Sequence, residues 1–592
     1  MRVTNISAQH AGNRTRVVIL VDHNVEYRAA RISAPDRIYV DVQDAKISSQ
    51  LAGKILGVND GVVNQVRAAQ NQVNVVRVVL DAGKAGDYSV ALIPDPYRLV
   101  VDVFGLPPAP APAAGLSTPT PPSSSKPQNT AAAVLAVPLA AAGGVASNRL
   151  GANGILNSAE AATGPLVVSS VNPRYFTDGS GRAVYLTGLH HSYDLQDSSE
   201  SGDFDFGSFL DFLQSYNHNF IRLWAWESAS GAPWTEEEIS FSPLPYARTG
   251  EGNALDGDPK FDLTIFNDDF FDRLRSRVAA AGDRGIYVSI MLFQGWSIGR
   301  KSGFPGNPWP GHPFNSENNI NEIPDNPVGV EDGDYIHTLQ VPAITAFQEA
   351  YVKKVIDTVN DLDNVLYEIS NESPAGSKAW EYQFIDFIHS YEATKPKQHP
   401  VVMTVLWPAG SNGTLFASPA EAISPNDDDD YTGEGGGPPA ANGRRVIITD
   451  TDHLFRDGGN AAWVWKSFTR GLNPISLEED DTLSDGSSRR ADIWAAMGQT
   501  RDYATRLDLL NMTPRGDLAS SRFCLANPGR EYLVYLPDGG EVSVDLSDSS
   551  GIFAVEWFNP STGETFDGGT VSGNSSFTAP FQGPAVLYLL QK

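Results

Sequence analysis

Residues 365–373 have the sequence VLYEISNES, and this stretch decides the fold of the central part of the chain. The apolar run Val365–Ile369 predicts a buried strand, and the segment Ala379–Thr394 that follows has the pattern of a helix. A short buried strand followed by a helix is the repeating unit of parallel α/β folds. The polar residues Asn371 and Glu372 stand where the strand should end, so the stretch predicts one βα unit with a polar edge.

The same unit repeats on both sides of this stretch, between about residues 166 and 510. Seven further strands are predicted at Val184–Leu189, Phe220–Trp224, Tyr287–Phe293, Val401–Val405, Ala422–Ser424, Val446–Asp450 and Pro474–Leu477. Helical patterns lie between them at Phe206–Tyr216, Asp268–Asp283, Ile344–Asp361 and Ala461–Arg470. Eight strands with intervening helices predict a (β/α)₈ TIM barrel over residues 166–510.

The flanking regions predict two all-β domains and a linker. Residues 1–105 contain short alternating segments separated by turn signals, which is typical of a β-sandwich. Residues 106–165 are rich in Pro, Ala, Ser and Thr and predict an extended linker. Residues 511–592 return to strand-like runs and predict a C-terminal β-sandwich, which the short connection should pack against the barrel. The predicted fold class is therefore multidomain, an α/β barrel between two β-sandwiches.

The charge of the chain argues against nucleic acid as a partner. The net charge is −28, with 43 basic and 71 acidic residues, and phosphate binding needs a basic surface. Residues 1–105 differ from the rest, because they hold 12 basic and 10 acidic residues. The acidic excess therefore belongs to the remainder of the chain.

Cysteine content and hydropathy limit the function classes further. Cys524 is the only cysteine, which excludes an internal disulfide and CxxC zinc or redox motifs. No run of 18 apolar residues predicts a transmembrane segment, and the first residues lack the basic and apolar regions of a signal peptide. Either a signal has been removed, or export is not encoded here. The HExxH and P-loop motifs are absent as well.

Carboxylates end two of the predicted barrel strands. Active sites of TIM barrels lie at the C-terminal ends of the strands. Glu372 follows the fourth strand, and the seventh strand ends in VIITDTDH, which contains Asp450, Asp452 and His453. Cleavage of a glycosidic bond needs two such carboxylates, about 5–5.5 Å apart for retention of configuration and farther apart for inversion. The pattern therefore predicts a glycoside hydrolase.

An Asn-Glu pair after the fourth strand and an acid after the seventh resemble the pattern of clan A glycoside hydrolases. The resemblance implies that Glu372 is the general acid/base and that Asn371 binds the 2-hydroxyl group of the sugar. It also implies that Arg222, in the second strand FIRLW, orients the nucleophile.

A longer set of motifs resembles the apiosidase-like barrel hydrolases, over roughly residues 166–592. These motifs are YLTGLHH, NHNFIRLWAW, HPFN, YEISNES, SDGSSRRADIWAAMGQTRDYATRLDLLNMTP and NPGREYLVYLPDGG. Proteins of that group carry a C-terminal "putative collagen-binding" sandwich, and nothing in this sequence indicates collagen as its ligand.

The nucleophile departs from the clan pattern, in which it is a glutamate in a TEFG-like motif. Here the seventh strand offers only aspartates. Alignment on strand length favours Asp450, and alignment on the Thr-acid-X pattern favours Asp452. Of the two, we prefer Asp450. Both side chains should point to the same side of the strand, because residues two apart in a strand share a face. Because aspartate is one methylene shorter than glutamate, inversion through a water molecule stays open as the alternative mechanism.

Histidines and tryptophans near the predicted strand ends are candidates for binding the sugar. Sugar rings stack on aromatic faces, and imidazoles hydrogen-bond to hydroxyl groups. Besides Asn371 and Arg222, the predicted substrate-binding residues are His190, His191, Trp224, His312, Trp407, His453 and Trp465. The pattern predicts no cofactor and no metal centre, although Asp450 and Asp452 also form an Asp-x-Asp pattern that can bind a cation.

The N-terminal region resembles the AMIN domain. The resemblance is carried by RIYVDVQDAKI, VNQVRAAQNQVNVVRVVLDAG and YSVALIPDPYRLVVDVFG, which span nearly all of residues 1–105. That family occurs at the front of cell-wall amidases and some secretion proteins and binds the bacterial wall or envelope. The resemblance therefore implies an envelope glycan as a partner and a periplasmic, envelope-associated or secreted location.

Two hypotheses for the function follow. In the first, the N-terminal domain holds the envelope and the barrel hydrolyses O-glycosidic bonds of a poly- or oligosaccharide. In the second, the protein binds an envelope glycan without cleaving it, on an inactivated barrel, and the replacement of glutamate by aspartate in the seventh strand keeps this alternative open.

Overall fold

The computed structural model describes residues 2–105 and 163–592, apart from short gaps. The gaps are residues 12–13, 24, 26, 34–35, 44, 49–50, 52–53, 59, 73–74, 84, 94–97, 302–303, 325–331, 408–409, 426–441, 455–458, 479–487 and 548. The predicted linker, residues 106–165, lies outside the described residues except for its last three positions. The chain divides into two compact units, residues 1–141 and residues 142–592.

The first unit is built from two five-stranded sheets, as predicted for the N-terminal β-sandwich. Their strand orders are β5-β1-β2-β10-β9 and β3-β4-β8-β7-β6. The strands are β1 (Arg2–Ala11), β2 (Arg14–Val21), β3 (Tyr27–Ser33), β4 (Asp36–Val42), β5 (Lys46–Ile47), β6 (Ile55–Gly57), β7 (Val63–Gln72), β8 (Val75–Ala82), β9 (Ala85–Ile93) and β10 (Arg98–Gly105).

Alternation of side chains places the core of this unit between the two sheets. In β8, Val76, Val78 and Leu80 are fully buried while their neighbours are half-buried. They pack in one cluster with the buried residues of β2, among them Val17 and Ile19. A period of two is what a strand with one buried face requires.

The second unit is dominated by eight parallel strands in a nearly closed ring. They are β13 (Gly188–His191), β15 (Phe220–Trp224), β20 (Tyr287–Gln294), β21 (Val365–Asn371), β22 (Val401–Thr404), β23 (Ala422–Ser424), β24 (Val446–Asp450) and β25 (Asn473–Glu478). Between β13 and β15, the Asn219 amide donates to the Thr187 carbonyl oxygen at 2.9 Å. The predicted TIM barrel is confirmed.

Within the described part of the chain, seven helices follow or connect the barrel strands. They are α1 (Phe206–Ser215), α2 (Asp268–Gly282), α3 (Pro342–Val359), α4 (Lys378–Glu392), α5 (Asn412–Ala417), α6 (Ala461–Thr469) and α7 (Ser488–Arg506). Asp205, Asn267 and Asn460 cap α1, α2 and α6, since each side chain accepts a backbone N–H of the first turn. Helices α5 and α7 were not among the predicted helices.

Short strands outside the ring complete the barrel region. They are β11 (Val167–Val168), β12 (Phe176–Thr177), β14 (Asp197–Ser198), β16 (Ser230–Ala232), β17 (Thr235–Ser242), β18 (Tyr246–Asn253) and β19 (Pro259–Phe266). Strands β16 to β19 form an antiparallel insertion between β15 and α2 that the sequence did not predict.

The C-terminal region forms a six-stranded sheet, in the order β26-β27-β28-β33-β30-β31, and a two-stranded β29-β32 sheet. The strands are β26 (Thr513–Pro514), β27 (Cys524–Asn527), β28 (Glu531–Leu536), β29 (Gly539–Val544), β30 (Phe553–Asn559), β31 (Glu564–Val571), β32 (Ser575–Gln582) and β33 (Ala585–Gln591).

This sandwich packs on the last helices of the barrel, as its short connection predicts. The Trp465 ring of α6 stacks on Tyr535 of β28, with ring centroids 5.9 Å apart. The Tyr503 hydroxyl of α7 donates to Glu556 at 2.9 Å. Trp465, which the sequence predicts as a sugar-binding residue, is fully buried in this interface. An apolar residue on a helix has the same sequence signal whether it packs on a domain or lines a cleft.

Two buried glutamates on α4 allow a test of how the barrel responds to pH. Glu381 is fully buried, and its carboxyl oxygens have no hydrogen-bond partner among the described residues. Burial raises the pKa of Glu381 well above its ordinary value of 4.5. The folded state therefore keeps this proton, whereas the unfolded state loses it above pH 4.5, so stability falls as pH rises above that value.

We expect Glu381→Gln to raise the unfolding temperature of the barrel at pH 8 and to change it little at pH 4.5. The matched control is Glu392→Gln at the end of the same helix, because Glu392 accepts hydrogen bonds from the His399 amide at 2.7 Å and from Asn360 at 2.8 Å. Its replacement should lower stability, by roughly 1–3 kcal/mol. Calorimetric unfolding at the two pH values checks both, and a pH-independent effect of Glu381→Gln would contradict the protonation argument.

Candidate active site

A buried Arg-Glu pair forms the floor of the site inside the barrel. Arg222 of β15 donates from Nε to Glu368 Oε2 at 3.0 Å, and its Nη2 lies 3.0 Å from Glu368 Oε1. The Ser289 hydroxyl of β20 donates to the same carboxylate at 3.0 Å, and Thr404 of β22 does so as well. Both charged residues are fully buried. Glu368 is thus the structural partner of Arg222, and it is saturated with hydrogen bonds.

Asp450 lies on the other side of Arg222. Its Oδ2 accepts from Arg222 Nη1 and lies 2.9 Å from His190 Nε2, while its Oδ1 accepts from the Asp452 amide at 3.1 Å. Burial raises the pKa of Asp450, but His190 and Arg222 outweigh this effect and hold the pKa below its ordinary value. The carboxylate is therefore ionised, each of its oxygens contacts a donor, and the residue is only 1% exposed.

The hydrogen bonds of His190 fix its tautomer. The Trp224 indole N–H can only donate, and it donates to His190 Nδ1 at 2.9 Å. The proton of the neutral ring is therefore on Nε2, where it faces Asp450. Burial lowers the pKa of His190, which agrees with a neutral ring. His190 thus contacts Asp450 directly, and Trp224 contacts His190.

Glu372 lies above this floor, directly after β21. Its Oε2 accepts from Trp296 Nε1 at 2.7 Å, and the residue is 7% exposed. The backbone of Glu372 has φ 45°, in the left-handed region that non-glycine residues rarely adopt. Gly295 allows this turn, because a Cβ atom there would overlap the Glu372 carbonyl oxygen. Strain at a carboxylate beside a barrel mouth is typical of functional sites.

Asp452 and His453 stand opposite Glu372 on a short 3₁₀ helix, Thr451–His453, that Asp450 caps. One side-chain ligand atom each of Glu372, Asp452 and His453 lie within 4.8 Å of one another. Asp452 is half-buried, whereas Asp450 below it is not accessible. The structure thus brings Glu372 face to face with Asp452.

Asn371 and its neighbour Gln294 line the same edge. The side-chain amide of Asn371 donates from Nδ2 to Gln294 Oε1 at 3.1 Å. Asn371 Oδ1 and Gln294 Nε2 are buried and have no hydrogen-bond partner among the described residues. One acceptor and one donor therefore remain available beside Glu372, and polar atoms of this kind are costly unless a ligand or water satisfies them.

An aromatic pair lies beside Glu372. The rings of Trp296 and Trp407 are stacked, with centroids 5.7 Å apart and planes 22° apart. The Lys301 ammonium group is 5.9 Å from one centroid and 5.8 Å from the other. Burial lowers the pKa of Lys301. Trp407 was predicted as a binding residue, and the structure places it in contact with the tryptophan that holds Glu372.

A charged network that was not predicted from the sequence lies behind Glu372. Glu227 accepts a hydrogen bond from the backbone N–H of Gln294 at 2.8 Å, and it lies 2.9 Å from His337 Nε2. His337 Nδ1 is 2.9 Å from the Ser373 hydroxyl, next to Glu372. Burial raises the pKa of Glu227, but His337 and His312 have the larger, opposite effect. The pKa of Glu227 is therefore lowered overall, to about 2. Glu227 follows β15 by three residues, so a search of every strand end would have found it. His337 lies in a long connection and gives no such signal.

The two remaining predicted histidines do not reach the carboxylate pair in the contacts described. His312 lies 3.6 Å from Glu227 and accepts the Phe314 amide on Nδ1. His191 packs on Phe204, with ring centroids 4.8 Å apart, and accepts the Tyr193 amide. Their roles in sugar binding stay predictions.

Three segments of the chain match known domain families. Residues 5–111 match the AMIN domain. Residues 231–406, which include Glu372, match a "Domain of unknown function (DUF6298)". Residues 516–586 match the "Putative collagen-binding domain of a collagenase". None of the curated proteins matches the chain.

Solved structures similar to this chain are glycoside hydrolases. A "putative glycoside hydrolase from Bacteroides vulgatus" is 12% identical, with a TM-score of 0.51, and the similarity covers 94% of this chain and 98% of that chain. A glycoside hydrolase family 5 structure from the same organism is 13% identical, with a TM-score of 0.48, covering 72% of this chain and 94% of the other.

The barrel has a glycoside hydrolase-like fold. The AMIN domain at the front and the sandwich at the end were both predicted from the sequence and are confirmed by the family matches. At 12% identity the structural similarity shows the fold alone. Within the described residues, no helix combines the length and the apolarity that crossing a membrane requires.

Proposed function

We propose that the protein is a retaining glycoside hydrolase in which Glu372 is the general acid/base and Asp452 is the nucleophile. The observation that carries the proposal is the approach of the two side chains: their ligand atoms lie within 4.8 Å at the C-terminal mouth of the barrel. Retaining enzymes place their two carboxyl groups about 5–5.5 Å apart, and inverting enzymes leave a wider gap for a water molecule.

Accessibility favours Asp452 over Asp450. A nucleophile needs an oxygen atom that can reach the anomeric carbon. Both Asp450 oxygens accept hydrogen bonds from Arg222, His190 or the Asp452 amide, and the residue is 1% exposed. Asp452 is half-buried and faces Glu372. In this proposal Asp450 is a positioning residue that caps the turn carrying Asp452.

The reaction proceeds in two steps. Asp452 attacks the anomeric carbon while Glu372 donates its proton to the leaving oxygen, which gives a covalent glycosyl-enzyme. Glu372 then takes a proton from water, and the resulting hydroxide displaces Asp452. The first step needs a protonated Glu372 and an ionised Asp452.

The surrounding residues fit the binding of a sugar. Asn371 Oδ1 and Gln294 Nε2, which lack partners among the described residues, can hydrogen-bond to sugar hydroxyl groups beside Glu372. Trp296 and Trp407 supply aromatic surface next to the acid/base. The substrate class is therefore an O-linked poly- or oligosaccharide, and the proposal needs no cofactor.

The AMIN match supports a proposal for where in the cell this reaction takes place. We infer that residues 1–105 bind a cell-wall or envelope glycan, that residues 106–165 give the barrel reach, and that residues 166–510 and 511–592 form the catalytic barrel and its sandwich. The corresponding location is periplasmic, envelope-associated or secreted.

The test is a screen of the wild type against polysaccharides and aryl glycosides, with the anomeric configuration of the first product followed by NMR. We expect release of reducing sugar with the same anomeric configuration as the substrate. If the opposite anomer forms first, the mechanism is inverting and the proposed double displacement is wrong. Glycan binding without any product, under conditions in which the barrel is folded, would favour the alternative of a non-catalytic glycan-binding protein.

A further inference from the structure

The turn that carries Glu372 is held through both of its neighbours. On one side, Asn371 donates from Nδ2 to Gln294 Oε1 at 3.1 Å. On the other side, the Ser373 hydroxyl lies 2.9 Å from His337 Nδ1. Glu372 itself has φ 45°, and a non-glycine residue keeps this conformation only where the surrounding contacts hold it. The two flanking contacts are therefore candidates for what holds the turn.

Both flanking contacts lead to one carboxylate, that of Glu227. Its Oε1 accepts a hydrogen bond from the backbone N–H of Gln294 at 2.8 Å and lies 2.9 Å from His337 Nε2. Burial raises the pKa of Glu227, but His337 and His312 lower it overall, to about 2. The carboxylate is therefore ionised near neutral pH and can only accept hydrogen bonds, so His337 Nε2 carries a proton and donates to Glu227.

The His337 ring is fixed in place between these two contacts. It stacks on Trp380 of α4, with ring centroids 4.4 Å apart and planes 12° apart, and both side chains are fully buried. Trp380 Nε1 donates to Gln348 Oε1 at 2.9 Å, and Gln348 Nε2 donates to the carbonyl oxygen of the residue before His337 at 3.0 Å. A buried ring that is packed on one face and hydrogen-bonded at both nitrogens cannot swing freely. His337 is therefore a rigid link between Glu227 and Ser373.

A second branch from Glu227 supports the carboxylate of Glu372. Gln294, whose backbone N–H donates to Glu227, also accepts the backbone N–H of Trp296 on its side-chain Oε1 at 3.2 Å. Trp296 in turn donates from Nε1 to Glu372 Oε2 at 2.7 Å. The backbone N–H of Glu227 donates to the Ser297 hydroxyl at 3.1 Å, in the 3₁₀ helix that contains Trp296. Glu227 thus supports both the backbone and the side chain of Glu372.

We propose that Glu227, His337 and Ser373 form a positioning network that fixes the orientation of the Glu372 side chain. Its role in catalysis rests on the proposed function, because it requires Glu372 to be the general acid. A general acid must lie within hydrogen-bond reach of the leaving oxygen, and a displacement of about 1 Å can cost about 100-fold in rate. The three residues act through Glu372 and are therefore positioning rather than catalytic residues.

The first experiment removes the hydroxyl group at the end of the network. Ser373→Ala should lower kcat on methyl glycosides by roughly 10–100-fold and leave KM within about twofold, because substrate binding is kept and only proton donation is misaligned. The first step with 2,4-dinitrophenyl glycosides should be spared, since that leaving group needs no proton, and the burst of dinitrophenolate release measures this step. Ser373→Thr keeps the hydroxyl group and should restore the rate on methyl glycosides.

Ser377→Ala is the matched control for this substitution. Ser377 is a fully buried serine in the same connection between β21 and α4, and its hydroxyl group has no hydrogen-bond partner among the described residues. The change is chemically identical but removes no contact of the network, so the kinetics should equal those of the wild type. His337→Asn is the second variant, because its shorter side chain cannot reach Glu227, and it should reproduce the loss seen with Ser373→Ala.

The second experiment does not depend on activity. Hydrogen–deuterium exchange of the full chain is followed by mass spectrometry in the peptides that contain the Glu372 turn and Trp407, whose backbone N–H donates to the Ser373 carbonyl oxygen at 3.0 Å. We expect Ser373→Ala and His337→Asn to accelerate this exchange by roughly tenfold, the factor that corresponds to the loss of about one hydrogen bond. Ser377→Ala should leave the exchange unchanged.

The two experiments together decide the proposal. Faster exchange at the turn with a loss of kcat confined to methyl glycosides supports it. Unchanged exchange in both network variants overturns it, as does faster exchange with wild-type kcat on methyl glycosides. An equal loss on both substrate types with a lower unfolding temperature also overturns it, because the network then only stabilises the fold. Faster exchange combined with full activity of Glu372→Gln would leave the support of the turn in place and overturn the proposed function instead.

Discussion

Replacing Glu372 with glutamine should lower kcat on glycosides with poor leaving groups by roughly 10²–10⁴-fold, the usual contribution of a general acid. The amide keeps the size of the side chain and can accept the Trp296 hydrogen bond, but it has no proton to donate to the leaving oxygen. A glycoside with a 2,4-dinitrophenyl leaving group needs no protonation, so its first step should be spared. Steady-state rates on the two substrate types measure the difference.

Glu317→Gln is the control for this experiment, because Glu317 is an exposed glutamate of the same barrel and has no place in the site. It should keep wild-type rates on both substrates. If Glu372→Gln hydrolyses poor leaving groups as fast as the wild type, Glu372 is not the acid. If Glu372→Gln loses activity on both substrates equally and also loses thermal stability, the Glu372 side chain has a structural role.

The second large effect distinguishes the two aspartates of the seventh strand. Asp452→Asn should reduce turnover by roughly 10³-fold or more, because the amide cannot form the glycosyl-enzyme. It should leave the unfolding temperature nearly unchanged, since the side chain is half-buried. Asp450→Asn should instead destabilise the barrel by about 3–5 kcal/mol, because it leaves Arg222 with one buried counter-charge fewer.

Calorimetric unfolding and kcat, measured on both variants, check this pair of expectations. The informative result is the contrast, since each variant is the isosteric control of the other. If Asp450→Asn is folded and inactive while Asp452→Asn turns over substrate, the nucleophile is Asp450, as strand length alone suggests. The Asp452 assignment then fails, although the acid/base assignment to Glu372 stands.

Much of the fold follows from local sequence. The strands Phe220–Trp224, Ala422–Ser424 and Val446–Asp450 have the predicted bounds, because buried parallel strands are short, continuous apolar runs with few alternatives. The first strand is shifted, from Val184–Leu189 to Gly188–His191. The apolar residues before it are buried in irregular structure, and burial alone does not require a strand.

Other features depend on contacts that the sequence does not display. The antiparallel insertion β16–β19 was missed because many of its side chains are exposed and give no regular apolar pattern. The burial of Trp465 is not visible in the sequence, because the surface that covers it belongs to a separate domain and includes Tyr535. Glu227 and His337 meet from connections far apart in the chain.

The sequence by itself determined the parallel barrel, the two β-rich flanks and the carboxylates that end the fourth and seventh strands. Only the tertiary structure decided which of those carboxylates lie close to one another. Strand parity treats Asp450 and Asp452 alike, but the strand ends at Asp450, and a 3₁₀ turn follows. That turn leaves Asp450 on Arg222 beneath the site and directs Asp452 and His453 toward Glu372. The physical reason is that side-chain direction follows a fixed period only within a regular element, and catalytic residues lie where such elements end.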